Sequence, residues 1–204
     1  RVVVFPRMAD IPKQEGRSWH HPMHESRNIS LRQILNESVH TVSPETTLGE
    51  VLRQMSERRI SCVVIIENQK PIGIFTERDS VDLMARGERH ADLPVRECMG
   101  EPVLVVSLSM DHHRAYQLMA ARNRRHLVAV DSRGHLLGLV TEGDLLHSIG
   151  MEQMVQPRTV ADAMTRRVIT LEDADSLGAA ARRMAKEGLG CIVVARNGMP
   201  VGML

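Results

Sequence analysis

The sequence predicts an α/β (α+β) fold of tandem repeats, each with the element order β-α-β-β-α. The segment Gly73–Asp79 (GIFTERD) returns as Gly138–Asp144 (GLVTEGD), and it begins a third time at Gly202. The spacing is 65 residues between the first two glycines and 64 residues between the second and third. A fixed period of this kind is typical of repeat architectures. The chain therefore contains two full copies and one incomplete copy of a unit of about 65 residues.

The same period relates positions outside that segment. Met55, Met119 and Met184 lie 64 and 65 residues apart. The residues that lie 14 positions before these methionines are Thr41, Val105 and Thr170, and those that lie 7 positions after them are Cys62, His126 and Cys191. Equivalent positions in the three copies can therefore be compared directly.

Composition limits the classes of function. A net charge of +1 gives no case for a basic nucleic-acid-binding surface, and 2% aromatic residues leave few side chains on which bases could stack. The core must then be aliphatic. Three cysteines are too few for a disulfide framework, so we expect buried, reduced thiols in a cytoplasmic protein. No apolar run approaches the roughly 18 residues that a membrane-spanning helix needs.

Residues 1–28 precede the first copy. Their prolines and lack of hydrophobic period predict an extended or loosely packed lead-in. His20, His21 and His24 suggest a metal site, but no cysteine or carboxylate cluster joins them at ligand spacing. A polar loop is therefore the favoured interpretation, and no metal site is predicted.

Repeat one is assigned to residues 29–92. Its predicted elements are an opening helix over 31–35, a strand over 39–42, a helix over 48–55, strands over 62–66 and 72–75, and a closing helix from Thr76. The β-branched run over 62–66 indicates a strand buried on both faces.

Repeat two (93–150) follows the same order, and a linker (151–157) separates it from repeat three (158–204). The pair Asn197-Gly198 predicts a hairpin turn in repeat three. That copy stops before its Thr-x-x-Asp segment and its closing helix. We therefore expect the natural protein to continue beyond Leu204.

These segments resemble the CBS domain family. In copy one they are Val39–Val42 (VHTV), Ile60–Ile65 (ISCVVI) and Gly73–Asp79, and the resemblance covers about residues 30–204. It implies that two neighbouring copies pack sheet against sheet as a Bateman module and bind adenine nucleotides in clefts between them. The local sequence is also similar to that of CBS arrays in bacterial signalling proteins with PAS, GGDEF or EAL output regions. No GGDEF or EAL motif is present in this chain.

The recurring Thr-x-x-Asp supports two interpretations. Thr76 and Thr141 end a strand where a helix begins, and the unsatisfied amides of a first helical turn favour an anion. The threonine hydroxyl could then bind a phosphate, while Asp79 or Asp144 accepts hydrogen bonds from a ribose, as an acidic residue does in dinucleotide folds. Alternatively, each pair is only a capping box. The two roles can coexist.

Matching the family's pattern residue by residue implies further ligand contacts. In copy one these are Thr41, Val42, Ser61 and Cys62, and in copy two they are Arg125 and His126. Arg125, with His126, would be the basic partner of a phosphate. A solvated helix end for Arg125 and a satisfied core histidine for His126 are the alternatives. Gly143 stands where copy one has Arg78, so we expect two clefts that bind unequally, or only one that binds.

No catalytic residues are predicted. The chain has no His-Glu-x-x-His, no Gly-x-Ser-x-Gly, no P-loop and no opposed pair of carboxylates. The prediction is a non-enzymatic regulatory module that senses AMP, ADP, ATP or S-adenosylmethionine, requires no cofactor and controls an output domain outside this chain. Its expected partners are the nucleotide and either a second copy or a fourth CBS repeat, without nucleic acid or membrane. The alternatives are a ligand-free structural or dimerisation module and a regulatory insert of a metabolic enzyme.

Overall fold

The computed structural model describes residues 29–87, 90–100, 102–148 and 159–204. These residues form two compact units, divided between positions 156 and 157. The predicted lead-in, with its three histidines, and the predicted linker lie outside the described residues.

Copy one has the predicted order of elements. They are strand β1 (Thr41–Val42), helix α1 (Leu48–Arg58), strands β2 (Cys62–Glu67) and β3 (Lys70–Thr76), and helix α2 (Glu77–Arg86). β1 pairs parallel with β2, and β2 pairs antiparallel with β3. A right-handed crossover through α1 is the usual way to join two parallel strands of one sheet.

Local sequence accounts for helix α1. The Thr47 side chain accepts a hydrogen bond from the Glu50 amide, which satisfies one of the free donors of the first turn. The helix is followed by the C-cap residue Arg59, whose φ of 54° is left-handed. One face packs into the core of the copy through Leu48, Val51 and Met55, which recur at helical spacing.

Copy two repeats this arrangement. Its elements are β4 (Val105–Val106), α3 (His112–Arg122), β5 (His126–Val130), β6 (Leu136–Thr141) and α4 (Glu142–Ser148), and its sheet has the order β4-β5-β6. Val64 from copy one and Val128 and Leu139 from copy two form a buried cluster between the two sheets. The predicted sheet-to-sheet pairing of copies one and two is thereby confirmed.

The segment that leads into copy one, residues 29–36, packs on copy two; we call it arm one. Its 3₁₀ turn (Leu31–Gln33) buries Leu31 completely in the core of copy two. The Leu31 amide donates to the Met110 carbonyl at 3.1 Å, and Asn36 pairs with Leu139 in an antiparallel bridge. The predicted opening helix over 31–35 was therefore too long, and its apolar side chains complete the other copy.

Residues 93–100, called arm two, make the reciprocal contacts on copy one. The turn Val95–Glu97 buries Val95 in the core of copy one. The Val95 amide donates to the Thr46 carbonyl at 2.8 Å, and the Gly100 amide donates to the Ile74 carbonyl at 2.8 Å. Each copy thus supplies part of the other's core, and the two copies form one compact unit.

The recurring strand glycine permits this exchange of arms. A Cβ atom at Gly138 would lie 2.6 Å from the Leu35 Cγ and 2.7 Å from the Asn36 carbonyl oxygen, both in arm one. At Gly73 a Cβ would overlap the thioether of Met99 in arm two. The glycines of the two GxxT segments are therefore required by the close approach of the opposite arm.

We expect Gly138→Ala to lower the free energy of unfolding by about 1–3 kcal/mol, because the added methyl overpacks the contact with arm one. Urea denaturation followed by circular dichroism measures the change. Gly143→Ala is the matched control, since its Cβ would meet only the Thr141 Oγ1 at 3.6 Å. Equal stability of the two variants would contradict this account of the glycine.

Copy three forms the second unit. Its elements are α5 (Val160–Ala163), β7 (Thr170–Glu172), α6 (Leu177–Glu187), β8 (Val193–Arg196) and β9 (Met199–Met203). Asn197 and Gly198 join the last two strands with φ values of 51° and 80°, so the predicted hairpin turn is present. The three strands have the order β7-β8-β9, with the same parallel and antiparallel pairings as in the other copies.

Candidate functional site

A cleft of about 310 Å³ is lined by copies one and two together. Copy one contributes Ser61, Ile74 and the junction of β3 with α2 at Thr76–Asp79. Copy two contributes Val128 and three stretches, which are Pro102–Leu104, Asn123–His126 and the junction of β6 with α4 at Thr141–Gly143. Both strand-to-helix junctions therefore face the same cleft. A ligand that contacts both copies at once requires this arrangement.

Six of the ten predicted site residues line this cleft: Ser61, Thr76, Asp79, Arg125, His126 and Thr141. The other four, Thr41, Val42, Cys62 and Asp144, are not among its lining residues. Val42 is only 7% exposed in the core of copy one, and Cys62 packs against the cluster between the sheets. The side chains of Val42 and Cys62 are used in packing and lie outside the lining of this cleft.

The first junction is a capping box. The Thr76 amide and hydroxyl both donate to the Asp79 Oδ2 at 2.7 Å, and the Asp79 amide donates to the Thr76 Oγ1 at 3.4 Å. In the described part of the chain, the Asp79 Oδ1 accepts no hydrogen bond. It points toward Gly100, 3.9 Å from the position that a Cβ would take there. One carboxylate oxygen therefore caps the helix, and the other stays available to a ligand.

The second junction repeats the box in almost the same geometry. The Thr141 amide and hydroxyl donate to the Asp144 Oδ2 at 2.8 Å and 2.7 Å, and the Asp144 amide donates to the Thr141 Oγ1 at 3.2 Å. Thr141 lines the cleft, whereas Asp144 does not. The two aspartates thus have equal capping roles and different positions relative to the cleft.

Three guanidinium groups line the cleft, from Arg78, Arg124 and Arg125. Among residues 29–87, 90–100, 102–148 and 159–204, none of the three side chains forms an ion pair or a hydrogen bond. Glu77 and Glu142 also line the cleft, so its charge is mixed. Unpaired guanidinium groups beside two helix starts are suited to an anion such as a phosphate.

His126 lies half-buried at the start of β5. Burial lowers its pKa below the ordinary value of 6.5, and the positive charge of Arg125 lowers it further. The negative charges of Asp79 and Asp144 oppose this shift without reversing it. The imidazole is therefore mainly neutral near pH 7, which favours the buried-histidine alternative over a cationic phosphate partner.

This shift sets a pH dependence of stability. Because the folded-state pKa of His126 lies below 6.5, the unfolded chain binds the proton first as the pH falls. The contribution of His126 to stability should decline from about pH 6.5 down to its lower folded pKa. We expect His126→Gln to remove this part of the acid sensitivity in urea denaturation across that range. The same substitution at exposed His113 is the control, and identical pH profiles of both variants would contradict the assignment.

Two of the three cysteines, Cys62 and Cys98, are poor nucleophiles. Burial raises the pKa of the Cys62 thiol to about 11, and the charge of Glu77 adds to the effect. Burial also raises the pKa of Cys98. Because a thiolate is the nucleophilic form, both groups are inert near neutral pH. The expectation of buried thiols was wrong for Cys191, which is exposed.

Several cleft residues were not predicted as ligand contacts, among them Pro102–Leu104, Asn123 and Arg124. Arg124 belongs to a short run of arginines at the end of α3, and such a run alone is typical of a solvated helix end. One signal was present in the repeat, because copy one has Ile60 at the position of Arg124 and Ser61 at that of Arg125. The copies therefore differ in charge where the cleft would meet a phosphate.

Within the described segments, no cluster of three or more histidine, cysteine or acidic side chains is arranged to hold a metal ion. In the same segments, no helix combines the length and hydropathy that crossing a bilayer requires.

Two proteins of known sequence are similar to this chain over much of its length. Protein MK0525 of Methanopyrus kandleri is 37% identical over 122 residues, which cover 59% of this chain and 62% of that protein. Protein MJ1225 of Methanocaldococcus jannaschii is 28% identical over 185 residues, which cover 83% of this chain and 66% of that protein. The chain thus spans somewhat less than two thirds of the length of these relatives.

Solved structures with a similar fold are also known. The crystal structure of MJ1225 has a TM-score of 0.76 at 26% identity and covers 86% of this chain and 69% of that one. A CBS-domain protein from Burkholderia ambifaria has a TM-score of 0.57 at 26% identity and covers 64% of this chain and 100% of that one. The sequence profile of the CBS domain matches residues 31–79, 95–150 and 160–204, more than half of the chain, and the protein therefore belongs to the CBS domain family.

Proposed function

We propose that copies one and two form a regulatory module that binds an adenine nucleotide in the cleft between them. The observation that carries the proposal is the set of three unpaired guanidinium groups, from Arg78, Arg124 and Arg125, beside two strand-to-helix junctions. Arg124 and Arg125 hold the phosphate, and the free Oδ1 of Asp79 accepts hydrogen bonds from the ribose hydroxyls. Arg78 adds positive charge from copy one.

The base occupies the apolar part of the cleft. Ile74 of copy one faces this space together with Val103, Leu104 and Val128 of copy two. Branched aliphatic side chains from both copies form a slot that suits a flat purine ring, whereas the chain has few aromatic residues on which it could stack. A ligand placed in this way contacts both copies at once.

Size favours the smallest candidate ligand. The volume of about 310 Å³ lies at the lower end of the roughly 300–1,000 Å³ that ligand pockets usually have. AMP is therefore preferred over ADP, ATP and S-adenosylmethionine. The solved CBS-domain structures of CBSX2 and of PAE2072 from Pyrobaculum aerophilum contain AMP, and at 21% and 23% identity they share only the fold with this chain.

Isothermal titration with AMP, ADP, ATP and S-adenosylmethionine tests the proposal. We expect one AMP per chain, because Ile60 and Ser61 replace the two arginines at the equivalent positions of copy one. ATP should bind more weakly than AMP, since its extra phosphates exceed the cleft and meet Glu77 and Glu142. Two equal sites would contradict the proposed asymmetry, and no heat with any ligand from a folded sample would reject nucleotide binding.

The module acts by linking nucleotide binding to the arrangement of its two copies. A ligand that ties both junctions together stabilises one relative orientation, and it shifts the equilibrium only by its difference in affinity between the two arrangements. The output domain lies outside this chain, in a cytoplasmic, signalling context, and the chain itself has no catalytic role. Copy three pairs with another CBS repeat.

A second candidate function is a ligand-free pairing module. The observation in its favour is the exposed apolar surface of copy three, which includes Val160, Met199 and Met203. A stable assembly that ignores every nucleotide in the titration would favour it.

A further inference from the structure

Gly100, the last residue of arm two, lies beside two polar groups of the cleft. A Cβ atom at Gly100 would be 3.6 Å from the Arg124 Nη1 and 3.9 Å from the Asp79 Oδ1. The guanidinium belongs to copy two and the carboxylate to copy one, and both side chains line the cleft, whereas Gly100 itself does not. The two atoms proposed to hold a phosphate and a ribose therefore lie within contact distance of one missing side chain.

The fold itself does not require glycine at position 100. The φ angle of Gly100 lies outside the left-handed range that favours glycine. The protein atom nearest to its Cβ position is the Ile74 carbonyl oxygen at 3.5 Å, an ordinary van der Waals distance. Gly73 and Gly138 differ, because a Cβ atom there would overlap the opposite arm. Gly100 thus leaves open a space that a side chain could fill.

Arm one has a side chain at the equivalent position. Asn36 pairs with Leu139 in an antiparallel bridge, as Gly100 pairs with Ile74. The Asn36 Oδ1 accepts a hydrogen bond from the Ser38 amide at 2.9 Å. The bridge therefore tolerates a side chain in arm one, and the equivalent bridge beside the arginine-lined cleft has none.

Arm two holds Gly100 in place. The Gly100 amide donates to the Ile74 carbonyl at 2.8 Å, and the Ile74 amide donates to the Gly100 carbonyl at 3.5 Å. Earlier in the arm, Val95 is fully buried in the core of copy one. Because these contacts oppose a shift of the arm, a side chain added at position 100 would occupy the space beside the two polar groups.

We propose that Gly100 is a specificity-determining residue, which selects a nucleoside with its phosphate on the 5′ carbon. In such a ligand the phosphate and the free 2′ and 3′ hydroxyls stand at opposite ends of one ribose. The phosphate contacts Arg124 while the hydroxyls donate to the Asp79 Oδ1, and the ribose–phosphate link passes the bare α-carbon of Gly100. A 3′ phosphate would instead stand at the end of the ribose that faces the carboxylate. The inference rests on the proposed function and refines the ligand class of the same site.

Isothermal titration of the 204-residue chain with 5′-AMP and with 3′-AMP tests the proposal. We expect the wild type to prefer 5′-AMP. Gly100→Ala should weaken the binding of 5′-AMP about 10-fold and Gly100→Val on the order of 200-fold, since a misfit of one carbon group changes affinity by about 10- to 200-fold. The affinity for 3′-AMP should change less, so the preference for 5′-AMP should shrink. Urea denaturation checks that both variants fold.

Two further measurements make the test specific to the space beside Gly100. Asn36→Ala is the matched control, because it places alanine in the equivalent bridge and Asn36 does not line the cleft. Its affinities for both nucleotides should equal those of the wild type. In an Arg124→Gln background, Gly100→Ala should weaken 5′-AMP binding much less than in the wild type, because both substitutions remove the same contact.

The outcomes separate this inference from the proposed function. A wild type that binds both isomers equally overturns the role of Gly100 and leaves nucleotide binding intact. The same conclusion follows if Gly100→Val keeps the wild-type affinity for 5′-AMP, or if it loses affinity equally for both isomers. No heat with either nucleotide from the folded wild type rejects the proposed function, and this inference with it.

Discussion

Replacing Arg124 and Arg125 together with glutamine is expected to weaken AMP binding on the order of 100- to 10,000-fold, because each charge-assisted hydrogen bond to phosphate contributes about 1.5–3 kcal/mol. In the described part of the chain neither guanidinium has a protein partner, so the substitution breaks no ion pair within the fold. The free energy of unfolding should therefore stay within about 0.5 kcal/mol of the wild-type value. Isothermal titration and urea denaturation measure the two quantities on the same samples.

Two further variants make this prediction specific. Arg122→Gln removes the same charge from the same helix end, but Arg122 does not line the cleft, so AMP affinity should change little. Arg125→Gln alone should also raise the pKa of His126, because the charge of Arg125 is one cause of its low value. A proton NMR titration of His126 gives that readout without any nucleotide. Equal losses of AMP affinity in Arg122→Gln and in the double variant would mean that only overall charge matters.

The order of elements could be predicted from sequence because it depends on local patterns. Apolar residues at helical spacing predicted α1, the β-branched run predicted β2, and the Asn-Gly pair predicted the turn before β9. Equivalent patterns recur at the same spacing in the other copies, so a chance assignment in one copy would conflict with the other two.

The partner of each arm could not be predicted in the same way. The apolar character of Leu31 and Val95 indicates burial, but it does not say which sheet covers them. The preference for the opposite copy follows from the glycines at 73 and 138, whose missing side chains make room for an arm that is distant in sequence. A recurring glycine inside a strand was the available signal for a close backbone approach.

The residues that line the cleft were likewise predictable only where a local sequence pattern marks them. Thr76 and Asp79 could be identified because a strand-to-helix junction has a local pattern, and the capping geometry agrees with it. Arg124 could not be identified in this way, because a basic helix end normally faces solvent. Only the pairing of the two copies brings Arg124 near Gly100 and Asp79. Val42 shows the opposite case, since its place in the family's pattern does not reveal that its side chain faces the core of copy one rather than this cleft.

The two aspartates of the repeat offer a matched test of the ribose contact. Asp79→Asn and Asp144→Asn alter capping boxes of nearly equal geometry, so both should lower the free energy of unfolding by a similar amount, about 0.5–2 kcal/mol. Only Asp79 lines the cleft. We therefore expect Asp79→Asn to weaken AMP binding by about 10- to 100-fold, as the loss of hydrogen bonds to a charged group implies. Asp144→Asn should leave the affinity near that of wild type.

The direction in which Asp79→Asn changes the affinity for AMP distinguishes two roles of the Asp79 carboxylate. If its Oδ1 accepts hydrogen bonds from the ribose, the wild-type protein should bind AMP more tightly than 2′-deoxy-AMP, and Asp79→Asn should reduce this preference. If the carboxylate only repels the phosphate, Asp79→Asn should instead tighten the binding of both nucleotides, because one negative charge near the anion is removed. Titration of both ligands into the wild type and both variants distinguishes these outcomes. Tighter binding by Asp79→Asn would refute the ribose contact while leaving the arginine site intact.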